Sequence, residues 1–124
     1  MTARKLPLVV AALVVCGALA LTGIAFGATA TKVTITGGGG DYHGKVKSSK
    51  RKCKANRKVK LYKQLGSSPH PSTDKFINSD TTSHTSDGWV WDTGSTGVHH
   101  GKVYAHVGRI PGCKADNSRT IQAS

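Results

Sequence analysis

The chain has 124 residues, 18 Lys and Arg against six Asp, no Glu, and a formal net charge of +12. That length allows a single domain, and six scattered Asp exclude the paired carboxylates of glycoside hydrolysis. Three Cys without a CxxC or Cys/His spacing exclude the usual zinc and redox motifs, and no GxSxG elbow is present for a hydrolase nucleophile.

Residues 1–30 begin with Arg4 and Lys5, continue through an apolar run from Leu6 to Phe26, and end in Ala28-Thr29-Ala30. This cationic, apolar, small-residue order reads as a secretory signal peptide: an N-terminal hydrophobic signal helix ahead of one domain at 31–124. Cleavage falls most simply after Ala30, with the bond after Ala28 as second choice. The 21-residue apolar run is also long enough to cross a bilayer, so an anchor formed by an uncleaved N-terminal helix is the competing reading. Gly17, Thr22 and Gly23 dilute its distal half, and no charge cluster follows as a stop signal. Cys16 follows Leu13-Val14-Val15, with branched Val15 where lipid attachment needs a small residue. The expectation is a secreted protein with no membrane contact after cleavage.

Residues 31–124 carry 16 basic and six acidic side chains, and only 14 of these 94 residues are Val, Ile, Leu or Phe. Such a fraction falls below the level at which a highly charged chain starts to look disordered, but two Trp and three Tyr add burial. In chain order, Lys32–Thr36 alternates as a half-buried strand with Val33 and Ile35 inward, and four glycines, Gly37–Gly40, end it. A second strand runs from Tyr42 to Ser48. A basic connection follows, and a third strand spans Arg57–Gln64, Val59 and Leu61 facing in and Lys58, Lys60 and Tyr62 facing out. Leu65–Thr73 is a loop dense in Gly, Ser and Pro. Lys75–Asp80 is a weaker strand because Phe76 and Ile77 are adjacent. Asp87-Gly88 is the strongest turn signal, and Trp89-Val90-Trp91 follows with both indoles on one face, core or surface left open. Lys102–Ile110 is the clearest strand, with Val103, Ala105 and Val107 alternating against Lys102, Tyr104 and His106. Pro111-Gly112 turns the chain into Cys113, and a short strand at Arg119–Gln122 ends it.

The pattern predicts an all-β protein, an antiparallel β-sandwich of about seven short strands. With Cys16 removed the Cys count is even, and an oxidising compartment pairs Cys53 with Cys113. That bridge closes a loop of about 60 residues and contributes on the order of 4 kcal/mol in the chain-entropy model.

Several segments carry a resemblance: Gly44-Lys45-Val46-Lys47-Ser48; Cys53 with Arg57-Lys58-Val59 and Leu61; the turn Ser86-Asp87-Gly88-Trp89; Gly101 to Val107; and Cys113 before Ser118-Arg119-Thr120-Ile121. Together they span nearly all of residues 32–122 and resemble the small secreted bacterial β-sandwich modules of the carboxypeptidase regulatory-like, Ig-like (prealbumin-like) type. Val103, where such modules often carry an aromatic, and the His- and Ser-rich loop depart from that pattern. The resemblance implies a non-catalytic accessory or binding module of the cell envelope or exterior, with no family active site and no cofactor.

Charge is the feature that suggests a partner. Lys45, Lys47, Lys50, Arg51, Lys52, Lys54, Arg57, Lys58, Lys60 and Lys63 lie within 19 residues that hold no acid. Such a field attracts wall polymer, acidic polysaccharide or nucleic acid, while the plainer reading is a solubilising face on a module that meets another extracellular protein. If the strands at 42–48 and 57–64 pair, Lys45, Lys47, Lys58 and Lys60 share one sheet face. Aromatics are too few for a single-strand nucleic-acid platform. Of the six histidines, the adjacent His99 and His100 point oppositely on an extended chain and suit no shared metal.

Overall fold

The structure is a computed structural model that describes residues 27–124. Most of the signal segment expected from the sequence lies outside the described residues. The alternating segments form ten short strands: β1 (Lys32–Val33), β2 (Thr36–Gly38), β3 (Asp41–Lys47), β4 (Lys58–Gln64), β5 (Lys75–Thr81), β6 (Ser83–Thr85), β7 (Gly88–Ser95), β8 (Lys102–Val107), β9 (Asp116–Asn117) and β10 (Ile121–Gln122). They build two antiparallel sheets. Sheet one runs β1-β3-β7-β6 with β2 also on β3; sheet two runs β10-β8-β4-β5 with β9 also on β8. The seven expected strands are present in essence. The first is broken into β1 and β2, and β6 and β9 are short additions to each sheet.

Gly37 and Gly38 do not end the first strand; they belong to β2. Gly39 and Gly40, at φ 65° and 82°, make a tight two-residue turn into β3. Both turn positions need the left-handed region, which glycine enters without steric cost. The adjacent pair Phe76 and Ile77 is explained by a register shift where β5 meets β4, between Leu61 and Tyr62. Ile77 packs on the core and Phe76 is 52% exposed.

The core lies between the sheets. Val33, Ile35, Tyr42, Val46 and Trp91 come from the sheet-one side and Val59, Leu61, Val103, Ala105 and Val107 from sheet two. Trp91 and Tyr42 offset the shortage of aliphatics: two buried aromatics remove roughly 300–500 Å² from water, an upper estimate of about 10 kcal/mol. Their polar atoms find partners. The Trp91 indole donates to the Thr34 carbonyl at 3.0 Å, and the Tyr42 hydroxyl donates to the Val98 carbonyl at 2.7 Å. Gly44 lets Trp91 and the chain at Thr34 cross β3; a Cβ there would collide with the Thr34 carbonyl and stand 2.8 Å from the indole nitrogen. Trp89 has the same parity as Trp91 but lies at the end of β7, half-buried.

Cys53 and Cys113 form a disulfide, both fully buried. The bridge joins a 3₁₀ turn at Arg51–Cys53, ahead of β4, to the connection after β8. Such a bond fits an oxidising, extracytoplasmic setting. Thr29 pairs with Cys113 as an isolated parallel bridge; its amide donates to Gly112 at 2.9 Å and its carbonyl accepts from Lys114 at 2.8 Å.

Candidate anion-binding surface

The strand registers bring four segments to one end of the sandwich. Lys32 pairs with Lys47, Lys58 with Thr81, Val59 with Val107 and Thr85 with Gly88, so residues 29–33, 47–58, 81–88 and 107–116 share that end. They contain ten of the 16 Lys and Arg found in residues 27–124 (Lys32, Lys47, Lys50, Arg51, Lys52, Lys54, Arg57, Lys58, Arg109 and Lys114), against Asp87 and Asp116. The Asp116 carboxylate accepts the Val33 amide at 2.8 Å, which ties it to the fold. The protein is therefore electrically polar, with most of its excess positive charge at this end.

Arg57 does not belong to the surface as the sequence suggested. It is 2% exposed; its guanidinium donates to the carbonyls of Cys53 and Gly108, both at 2.6 Å, and to the Thr31 hydroxyl at 3.4 Å. Burial lowers its pKa, since the charged form loses hydration while its partners are neutral oxygens. Arg57 is a structural tie between the disulfide turn, the N-terminal segment and the end of β8. The other nine cations of the basic stretch are not buried.

A second expectation also fails. β3 and β4 do not pair: β3 lies between β1 and β7, and β4 between β8 and β5. Lys45 and Lys47 thus belong to sheet one and Lys58 and Lys60 to sheet two. The ten residues between these strands cross from one sheet to the other, carrying Lys50, Arg51, Lys52 and Lys54 over the end of the sandwich.

Each side of that crossing holds a cleft with an aromatic wall. On the sheet-one side Lys45, Lys47, Ser48 and Lys54 meet His84, Asp87 and Trp89 around a hollow of about 220 Å³. The Arg51 guanidinium lies 5.7 Å from the Trp89 ring centre, within cation–π range, and the His84 ring is 5.1 Å away. On the outer face of sheet two Asn56, Lys58, Lys60, Tyr62, His106, Arg109 and Ile110 line a cleft of about 390 Å³. Arg109 and Lys114 were not among the sequence candidates. Their signal was present, because a Cys53–Cys113 bridge necessarily brings the neighbours of Cys113 to the basic connection.

Beyond this cleft the centre of sheet two's outer face, at Tyr104, is covered. Tyr104, expected to face out, does so yet is 0% exposed: Tyr62 stacks on it with ring centres 5.7 Å apart, and its hydroxyl donates to Asp74 at 2.6 Å. Burial, then the bond to Asp74, raises the Tyr104 pKa. Asp74 also accepts the amides of Leu65 (3.0 Å) and His70 (2.7 Å), which folds the loop 65–74 onto the sheet. Burial opposes its charge, but the Tyr104 hydroxyl and the two amides outweigh that and hold its pKa below the ordinary value. Ser68 Oγ lies 3.2 Å from His70 Nε2, yet Asp74 meets the backbone amide of His70, so the carboxylate does not orient the imidazole as a catalytic triad requires.

The six histidines are spread over the molecule, and no three His, Cys, Asp or Glu gather among the described residues. His99 contacts the Ser124 carbonyl at 3.1 Å, while His106, half-buried on β8, contacts Asn117 at 2.6 Å. A further hollow of about 580 Å³ lies between β1 and β9. Its edge groups are already used, the Val33 amide by Asp116 and the Ile35 carbonyl by Arg119. Comparison with protein-family models, with curated proteins and with solved structures finds no match to this chain.

Proposed function

We propose that this chain is a secreted, non-catalytic module that holds linear anionic polymers at the basic end of its sandwich. The carrying observation is the concentration there of nine unburied cations out of 16, six of them (Lys50, Arg51, Lys52, Lys54, Arg109 and Lys114) on the two connections that the Cys53–Cys113 bridge clamps together. A field of this density concentrates polyanions, and the clamp lowers the ordering cost of gathering like charges before the ligand arrives. The strand order supports the Ig-like part of the resemblance. Reading β1, β3, β4, β5, β6, β7, β8 and β10 as A, B, C, C′, D, E, F and G yields sheets A-B-E-D and C′-C-F-G. In that architecture the B–C and F–G connections lie at one end and commonly carry recognition.

The test is retention on immobilised heparin and on purified anionic wall polymer, with salt elution. A site making many ionic contacts resists modest salt and then yields steeply, so elution well above about 0.2 M is expected and elution below it would sink the reading. Replacing Lys50, Arg51, Lys52 and Lys54 by Ser should move elution to lower salt, whereas neutralising Lys75 and Lys102 at the opposite end should not.

The contacts of Thr29, with the Ala30 carbonyl accepting from Ser48 at 2.7 Å and Thr31 buried, support release of the mature chain after Ala28 over release after Ala30. The later cut would remove the Thr29 bridge to Cys113.

A further inference from the structure

The geometry points to one continuous binding track that crosses the basic end from the Trp89 cleft to the Tyr62 cleft, and to an acidic polysaccharide as its occupant. This rests on the polyanion reading above and specifies where the polymer runs and what it is. The crossing connection supplies the track. Lys47, Ser48, Arg51 and Lys54 line the first cleft or its rim, and Asn56 and Lys58 line the second, so a single run of chain connects the two. Arg109, delivered by the connection that the disulfide pins, closes the far cleft. The clefts lie on opposite sheet sides, and packed sheets are about 10 Å apart. One small anion cannot engage both; a polymer several residues long can.

The aromatics decide the class of polymer. Nucleic acids bound as single strands stack their bases on free aromatic faces. Here the Trp89 ring is flanked by Arg51 and His84, and Tyr62 is 8% exposed and stacked on Tyr104. What stays accessible is a set of flexible Lys ammonium groups with Arg51 and Arg109. These are point charges and forks that bind carboxylate or sulfate without a planar base.

A two-cleft track makes a bivalent prediction. Binding is measured at low salt for the oxidised full-length mature protein with heparin tetrasaccharide and heparin dodecasaccharide, and with single-stranded DNA matched in charge to the longer sugar. The dodecasaccharide should bind at least about tenfold more tightly per molecule than the tetrasaccharide. Arg51→Ala/Lys54→Ala and Lys58→Ala/Arg109→Ala should each weaken the dodecasaccharide about tenfold and bring its affinity towards that of the tetrasaccharide. Lys75→Ala/Lys102→Ala, with equal charge loss at the other end, should weaken it less than about twofold, which separates a site from bulk charge. Far-ultraviolet circular dichroism of each variant establishes that it is folded; all of these side chains are exposed except Lys54, which is half-buried.

Length-independent affinity, or sensitivity confined to one of the two double variants, would overturn the continuous track while leaving polyanion binding intact. DNA binding as tight as the dodecasaccharide would overturn the assignment to a polysaccharide. No binding to any of the three probes would instead overturn the function on which this inference rests.

Discussion

Replacing both Cys53 and Cys113 by Ala tests how a chain with so few aliphatic side chains stays folded. The bridge spans 60 residues, and in the chain-entropy model a closed loop of that length stabilises by about 4 kcal/mol. A domain of this size has roughly 5–15 kcal/mol in total, so the bridge accounts for a large share. At about 4–8 °C per kcal/mol for a small domain, Tm should fall by roughly 15–30 °C. Two controls separate the sources. Reducing the wild-type protein removes the cross-link without creating cavities, whereas the Ala pair also empties two fully buried sulfur positions, so the variant should melt at or slightly below the reduced wild type. The cross-link also holds two basic connections together, so their mutual repulsion belongs to the oxidised fold. Raising salt should stabilise the oxidised protein through screening, and do so less for the Ala pair, whose loops can separate. Thermal melts followed by circular dichroism at low and moderate salt read both effects. A Tm loss below about 5 °C would refute the reasoning, since the core would then suffice without the bridge.

Four further outcomes are expected. Gly44→Ala should cost about 1–3 kcal/mol in urea unfolding, because its Cβ meets the Thr34 carbonyl and the Trp91 indole; an unchanged midpoint would show that this crossing is slack. Arg57→Ala should cost about 2–4 kcal/mol by leaving the Cys53 and Gly108 carbonyls without their donor. Arg57→Lys should recover only part of that, since an ammonium does not reproduce the fork. The Asp74 carboxyl has a lowered folded pKa, so its contribution is present above its unfolded pKa of about 3.9 and is lost as pH falls through the folded value. Asp74→Asn should therefore lower stability at neutral pH by about 1 kcal/mol and shrink the difference from wild type in acid; a gap that stays constant with pH would exclude the charge as its cause. On the proposed release after Ala28, mass spectrometry of the processed chain should find Thr29 at the N-terminus, and a chain beginning at Thr31 would show that the Thr29 bridge to Cys113 is dispensable.

Much of the fold was legible locally. Period-two alternation in Val33/Ile35, Val59/Leu61 and Val103/Ala105/Val107 places a strand and its inward face without knowledge of its neighbours, because side-chain direction in a strand depends only on parity. The disulfide followed from the even cysteine count that remains once Cys16 is set aside with the expected signal segment, and the basic character from composition. Strand partnership is another matter: an alternating strand buries its face equally well in either sheet. β3 and β4 are adjacent in sequence and similar in pattern, yet ten residues separate them, enough to cross between sheets instead of turning back in a hairpin.

That crossing decides everything about the site that the sequence left open. It separates Lys45 and Lys47 from Lys58 and Lys60, turns Arg57 inward against carbonyls, and places Arg109 and Lys114 beside cations some fifty residues earlier in the chain. Tyr104 followed strand parity to the outer face and was still buried, because Asp74 folds a distant loop over it. The sequence by itself determined an all-β chain with a strongly positive surface and, once Cys16 is set aside with the expected signal segment, one pairing for its remaining cysteines. Only the tertiary structure gathered that charge at one end, since long-range strand registers and one cross-link, not neighbouring residues, set which loops meet.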